Sequence, residues 1–174
     1  MLTTPDRTFR RLLYAPLVGA ILVQGAPLHA DGAEGAPILT VTGQIDPPDT
    51  DLPVTFDLEA LRALPTRRVE TTTIWSEGVQ RFDGVGLDVL AQEMGATGRA
   101  VRASAVNDYS VTIPMADATP DGPIVAYLRN GKTMSLRDKG PLWIIYPYDS
   151  DTRYQTEVVY SRSIWQLDRL DFVD

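Results

Sequence analysis

The feature that most restricts this chain is the brevity of its apolar runs. From Ile38 onward hydrophobic residues come in short stretches, many alternating with polar ones, and each ends at glycine, proline or a turn pair such as Asn130-Gly131. A chain punctuated this way builds short strands joined by tight turns. Its 13 glycines and 13 prolines in 174 residues supply the breaks. Strands are expected at Ile38–Ile45, Arg68–Trp75, Gln80–Asp83, Arg99–Ala105, Tyr109–Ile113, Ile124–Arg129 with Lys132–Ser135, Leu142–Tyr146, Val158–Tyr160 and Trp165–Phe172. Two helical stretches stand near the start: Leu58–Leu64, capped by Asp57 and stopped by Pro65, and Leu87–Met94, ended by Gly95. The expected class is α+β, mostly β, with mixed sheets and two or three short helices around one core.

The beginning reads as a targeting segment. Arg7, Arg10 and Arg11 precede an apolar run, Leu12–Val23, that is too short to span a bilayer, and Leu28-His29-Ala30 follows. The expectation is a signal peptide at 1–30 cleaved after Ala30, a flexible leader at 31–37, a functional domain at 38–174 and a periplasmic location. Cleavage would remove three arginines and one aspartate, taking Lys+Arg from 16 to 13 and Asp+Glu from 23 to 22, a net charge of −9. An acidic body of this kind suits neither nucleic acid nor an anionic lipid surface.

His29, the only histidine, would leave with that segment, and the chain has no cysteine at all. A mature protein with neither residue has no thiolate or imidazole for metal and no Ser-His or Cys-His nucleophile pair, and it forms no disulfide. Asp149 and Asp151 are one close carboxylate pair, but a full calcium-loop motif is missing and a solvated turn accounts for them. Gly84-Val85-Gly86 lacks the third glycine of a dinucleotide fingerprint, with Val89 in its place, and reads as turn glycines before a helix.

An ordered set of segments carries a family resemblance: Thr55-Phe56-Asp57-Leu58-Glu59-Ala60-Leu61 before Leu64-Pro65, then Trp75, Phe82-Asp83-Gly84-Val85, Asn107-Asp108-Tyr109, Asp138-Lys139-Gly140-Pro141-Leu142-Trp143 and Trp165. In this order they resemble the oxidoreductase molybdopterin-binding domain of the sulfite-oxidase fold, over roughly residues 38–174. In catalytic members a cysteine four positions before the tryptophan holds molybdenum. Here that position is Thr71, in Thr71-Thr72-Thr73. Near Trp165, where catalytic members offer two lysines to the cofactor phosphate, this chain has Arg162. It therefore resembles the exported stand-alone subgroup without the metal-ligating cysteine. The resemblance implies a non-catalytic periplasmic protein that binds a reduced, metal-free pterin and regulates a membrane-bound signalling partner, such as a cyclic-di-GMP enzyme. The alternative it leaves is a molybdopterin-dependent oxidoreductase or accessory domain.

A pterin has flat faces for stacking and a polar edge for amides, carboxylates or hydroxyls. Candidate ligand-binding residues are Trp75, the strand Thr71, Thr72 and Thr73, the group Asn107, Asp108 and Tyr109, the loop residues Arg137 and Lys139, and Arg162 with Trp165. Each also has a plainer reading. Asn107 and Asp108 form a turn, Trp75 and Trp165 pack a core, the threonines serve β propensity, and Arg137–Lys139 is a solvated turn. Strand alternation would put Asn107 and Tyr109 on one side and Asp108 on the other, unless a bulge intervenes. No catalytic or metal-binding residue is expected.

Overall fold

The last strand of the chain organises the sheet. In the computed structural model, which describes residues 35–46 and 53–174, β10 (Trp165–Val173) meets three other strands. Along Arg169–Phe172 it runs parallel to β1 (Leu39–Gly43), and along Leu167–Val173 antiparallel to β5 (Ala100–Ala105). Its first residues pair with β9 (Leu142–Ile145), Trp165 opposite Trp143. It manages this by bending. The register slips between Trp165 and Leu167 and again between Leu167 and Arg169, and Gln166 has φ 52.

The other strands extend from this axis. β2 (Val54–Phe56) flanks β1. Beyond β9 come β7 (Ile124–Arg129), β4 (Ser76–Gly86) and β3 (Thr66–Thr73), giving the order β2-β1-β10-β9-β7-β4-β3. β6 (Ser110–Pro114) pairs with β5, and the two-residue β8 (Lys132–Thr133) with β7. Because β1–β10 is parallel and the remaining pairs antiparallel, the sheet is mixed. The central strands are covered on both faces. Val125, Ala126, Leu142, Trp143, Ile144 and Ile145 are all inaccessible, which explains why these strands read as unbroken apolar runs.

Three short helices complete an α+β fold that is mostly strand. α1 (Leu58–Ala63) is capped by Asp57, whose Oδ1 accepts the Ala60 N–H at 2.7 Å, and it buries Leu61. α2 (Leu87–Glu93) buries Leu87, Leu90 and Ala91, and Gly95 follows at φ 55. α3 (Glu157–Arg162) is capped by Thr156. The Asn130-Gly131 turn has positive φ at both residues, 52 and 79, as a two-residue hairpin requires.

Three local expectations are corrected. Val158–Tyr160, expected as a strand from its β-favouring residues, lies within α3, because the Thr156 Oγ1 cap on the Val159 N–H starts a helix there. The β3–β4 hairpin closes with Thr73 opposite Ser76, so Trp75 sits in the turn rather than at a strand end. Gly84 and Gly86 belong to β4. At Gly84 the backbones of Val125 and Ala126 come so close that a Cβ would overlap them. The expected targeting segment 1–30, the start of the leader and most of the Asp46–Pro53 loop lie outside the described residues.

Candidate functional site

All three tryptophans of the chain meet at one place. The β3–β4 turn delivers Trp75, β9 delivers the fully buried Trp143, and the first residue of β10 is Trp165. Trp75 lies edge-to-face with each of its ring neighbours: 5.7 Å from Trp143, 5.8 Å from Trp165, 5.9 Å from Tyr160 of α3 and 6.2 Å from Tyr148. The base of the cluster is tied by buried hydrogen bonds. Trp143 Nε1 donates to the Ser163 carbonyl at 3.1 Å, and the Tyr148 hydroxyl donates to Ser163 Oγ at 2.6 Å. Burial pushes the Tyr148 hydroxyl pKa well above its ordinary value, so it stays a neutral donor.

Above this base opens a cleft of about 440 Å³, walled by Trp75, Tyr160 and Trp165 and by the β5–β6 turn with Asn107 and Tyr109. Ser161, Ser163 and Gln166 add neutral polar groups. Trp165 is 37% exposed and Tyr109 57%, so aromatic surface faces solvent at the mouth. The Lys139 ammonium lies 4.1 Å from the Trp165 ring centre and 5.6 Å from that of Trp143.

The backbone around the cleft is held in uncommon conformations. Four non-glycine residues among those described have positive φ, and three of them, Asp108 (65), Lys139 (73) and Gln166 (52), stand on the segments that frame it. Two of these are bonded together, with Gln166 N–H donating to the Lys139 carbonyl at 3.1 Å, and the Gln166 carbonyl in turn accepts the Val106 N–H at 3.0 Å. Such conformations cost energy unless neighbours over-determine them, and they concentrate at functional sites.

Of the sequence candidates, Trp75, Asn107, Tyr109 and Trp165 come together in the cleft, with Lys139 against Trp165 at its edge. The others lie elsewhere. Asp108 turns outward to Arg169 at 2.6 Å. Arg137 is exposed on the 3-10 turn Leu136–Asp138. Arg162 leaves α3 on the side away from the aromatic cleft, toward Asp117 at 2.9 Å, where Asp117 also accepts from the Tyr146 hydroxyl. Thr71 is fully buried, and its hydroxyl accepts the Asp149 N–H at 3.1 Å and donates to the Thr72 carbonyl. Thr72 gives both its N–H and its hydroxyl to the Asp149 carboxylate, each at 2.6 Å, and Thr73 Oγ1 pairs with Ser76 Oγ. The threonine run thus ties β3 to the loop after β9. Sequence reasoning missed Tyr160, Ser161 and Gln166. The signal for the first two was the cap Thr156-Glu157, which sets a helix carrying Tyr160.

At Thr71, the position the sequence resemblance aligns with a metal-ligating cysteine, the donor set does not fit molybdenum. A soft metal of that kind is held by a thiolate, and the described residues contain no free cysteine. The Thr71 hydroxyl that stands there is already engaged on both its donor and acceptor sides. Asp149 and Asp151 are likewise occupied, one with Thr72 and the other capping the 3-10 turn Thr152–Tyr154.

The mixed, mostly strand architecture with its small helices is a sulfite-oxidase-type fold. A solved structure with this architecture is the sulfane dehydrogenase SoxCD from Paracoccus pantotrophus, with a TM-score of 0.57 and 20% identity over 78% of this chain. The likeness is one of fold, and it covers 38% of that protein's chain. No family model and no curated protein matches the sequence.

Proposed function

We propose that this chain is a periplasmic, non-catalytic pterin-binding protein that takes a reduced, metal-free pterin into the aromatic cleft and regulates a membrane-bound signalling partner, such as a cyclic-di-GMP enzyme. The observation that carries the reading is the convergence of Trp75, Trp165, Tyr160 and Tyr109 with the Asn107 amide on one cleft. Ring faces and a neutral amide are the chemistry a pterin needs, and the threonine site offers no thiolate to a metal. Val106, Tyr109, Leu136 and Trp165 are exposed near the cleft mouth, so a partner covering that rim would sense the occupant. Export rests on the arginine-led apolar start of the sequence.

The test is an anaerobic titration of a tetrahydropterin, followed by calorimetry or tryptophan quenching. Stacking on a tryptophan adds on the order of 1 kcal/mol beyond area burial, and about 1.4 kcal/mol is one decade of affinity. Trp75→Ala should therefore weaken binding about ten-fold or more once lost burial is included, with the far-UV spectrum unchanged. Absence of binding to wild-type protein at millimolar pterin overturns the reading.

A second reading is a molybdopterin-dependent oxidoreductase or an accessory domain of one. The fold shared with a sulfane dehydrogenase favours it. Metal content separates the two.

A further inference from the structure

The hydrogen bonds already made inside the chain fix what the cleft can offer a ligand. None of the residues lining it carries a charge. Of the charged groups near it, Asp108 pairs with Arg169 and Arg162 with Asp117 beyond α3, while Lys139 lies on the Trp165 ring at the edge. The neutral groups have their polarity set. Asn107 Oδ1 accepts the Tyr109 N–H at 3.2 Å, so its Nδ2 is left as a donor. Gln166 Nε2 donates to the Leu136 carbonyl at 2.8 Å, which leaves Oε1 as an acceptor. Ser161 Oγ gives its proton to the Val158 carbonyl at 2.7 Å and keeps lone pairs to spare.

Resting on the reading of this cleft as a heterocycle site, we infer that it recognises an uncharged ring through a lactam-type edge and takes no anchoring from an anionic tail. Asn107 Nδ2 donates to the ring carbonyl, while Gln166 Oε1 and Ser161 Oγ accept from ring N–H groups. A donor and two acceptors on one lining complement an edge where a carbonyl adjoins N–H. The lining itself supplies no counter-charge to an ionised group, and desolvating such a group without one is costly. Lys139, at the edge, lies on the Trp165 ring and is not part of the lining. Recognition built from neutral groups is also insensitive to ionic strength, unlike capture of a phosphate by exposed cations.

The experiment compares dihydroneopterin with dihydroneopterin monophosphate on the whole mature protein, at low and high salt, by anaerobic calorimetry. It is then repeated with Asn107→Ala and Asn107→Asp. Asn107 is exposed in a turn, and unchanged circular dichroism checks that the variants fold. The expected result is that the phosphate brings no gain in affinity and that salt has little effect. Asn107→Ala should bind about ten-fold more weakly and Asn107→Asp more weakly still, since its carboxylate would face the ring carbonyl. Tighter, salt-sensitive binding of the monophosphate overturns this inference and leaves the pterin reading standing. So does wild-type affinity in Asn107→Asp. Binding of neither compound overturns both.

Discussion

Asp149 shows how one carboxylate supports the aromatic cleft from outside it. Its two oxygens take the hydroxyl and the N–H of Thr72, and its own N–H reaches Thr71, so a single residue clamps β3 to the loop that carries Tyr148. The Thr72 hydroxyl, then the Thr72 N–H, hold the Asp149 carboxyl below its ordinary value of 3.8, against a smaller opposing effect of burial. A depressed carboxylate pKa contributes stability that is complete above the unfolded value and is lost as pH falls through the folded one. Asp149→Asn removes the charge and keeps one acceptor. It should therefore melt below wild type at neutral pH, and the gap should close as pH falls below about 4. Thermal unfolding followed by circular dichroism across that range checks it. A gap that stays constant with pH would mean that the Thr72 bonds act through packing rather than charge.

At the scale of elements, the sequence was informative wherever a local rule decides. The Asp57 cap, the Gly95 stop and the Asn130-Gly131 turn need only neighbouring residues, and each stands where local chemistry puts it. One misreading was itself local: Val158 and Tyr160 favour strand, but a cap at Thr156 commits them to α3, from which Tyr160 meets Trp75. The others came where distant chain decides. The candidate site was legible in the same measure. Asn107 and Tyr109 share the cleft and Asp108 between them turns away, but through a left-handed turn residue at φ 65 rather than through strand alternation. Gln166 was invisible because its role depends on the bend of β10 between two partners. Gly84 was read as a turn glycine, yet it sits where the register of β4 slips against β7 and their backbones close in. Gly84→Ala must push those strands apart. Overpacking of this kind typically costs about 1–3 kcal/mol, and with backbone as the obstacle the upper end is expected in urea denaturation. A loss under about 0.5 kcal/mol would mean that the two strands separate freely.

For the whole molecule, the open question is what a fold shared with an oxidoreductase can do without that enzyme's ligand chemistry. Fold and reaction are separable, because a reaction belongs to the groups a fold presents. Here the mixed sheet still gathers three tryptophans and two polar turns around a cleft, so its capacity to hold a flat organic ring has a physical basis. Ligation of a metal by thiolate does not, since the sequence contains no cysteine and Thr71 is buried in the Asp149 tie. The two properties should therefore come apart in protein purified anaerobically from its native compartment. Elemental analysis is expected to find molybdenum well below one atom per chain, while an acid extract, oxidised to its fluorescent form, contains a pterin. About one molybdenum per chain would restore the oxidoreductase reading and require a ligand other than thiolate. A chain free of both metal and pterin would leave the cleft to some other ring, and the donor and acceptor pattern of Asn107, Gln166 and Ser161 would then be the guide to it.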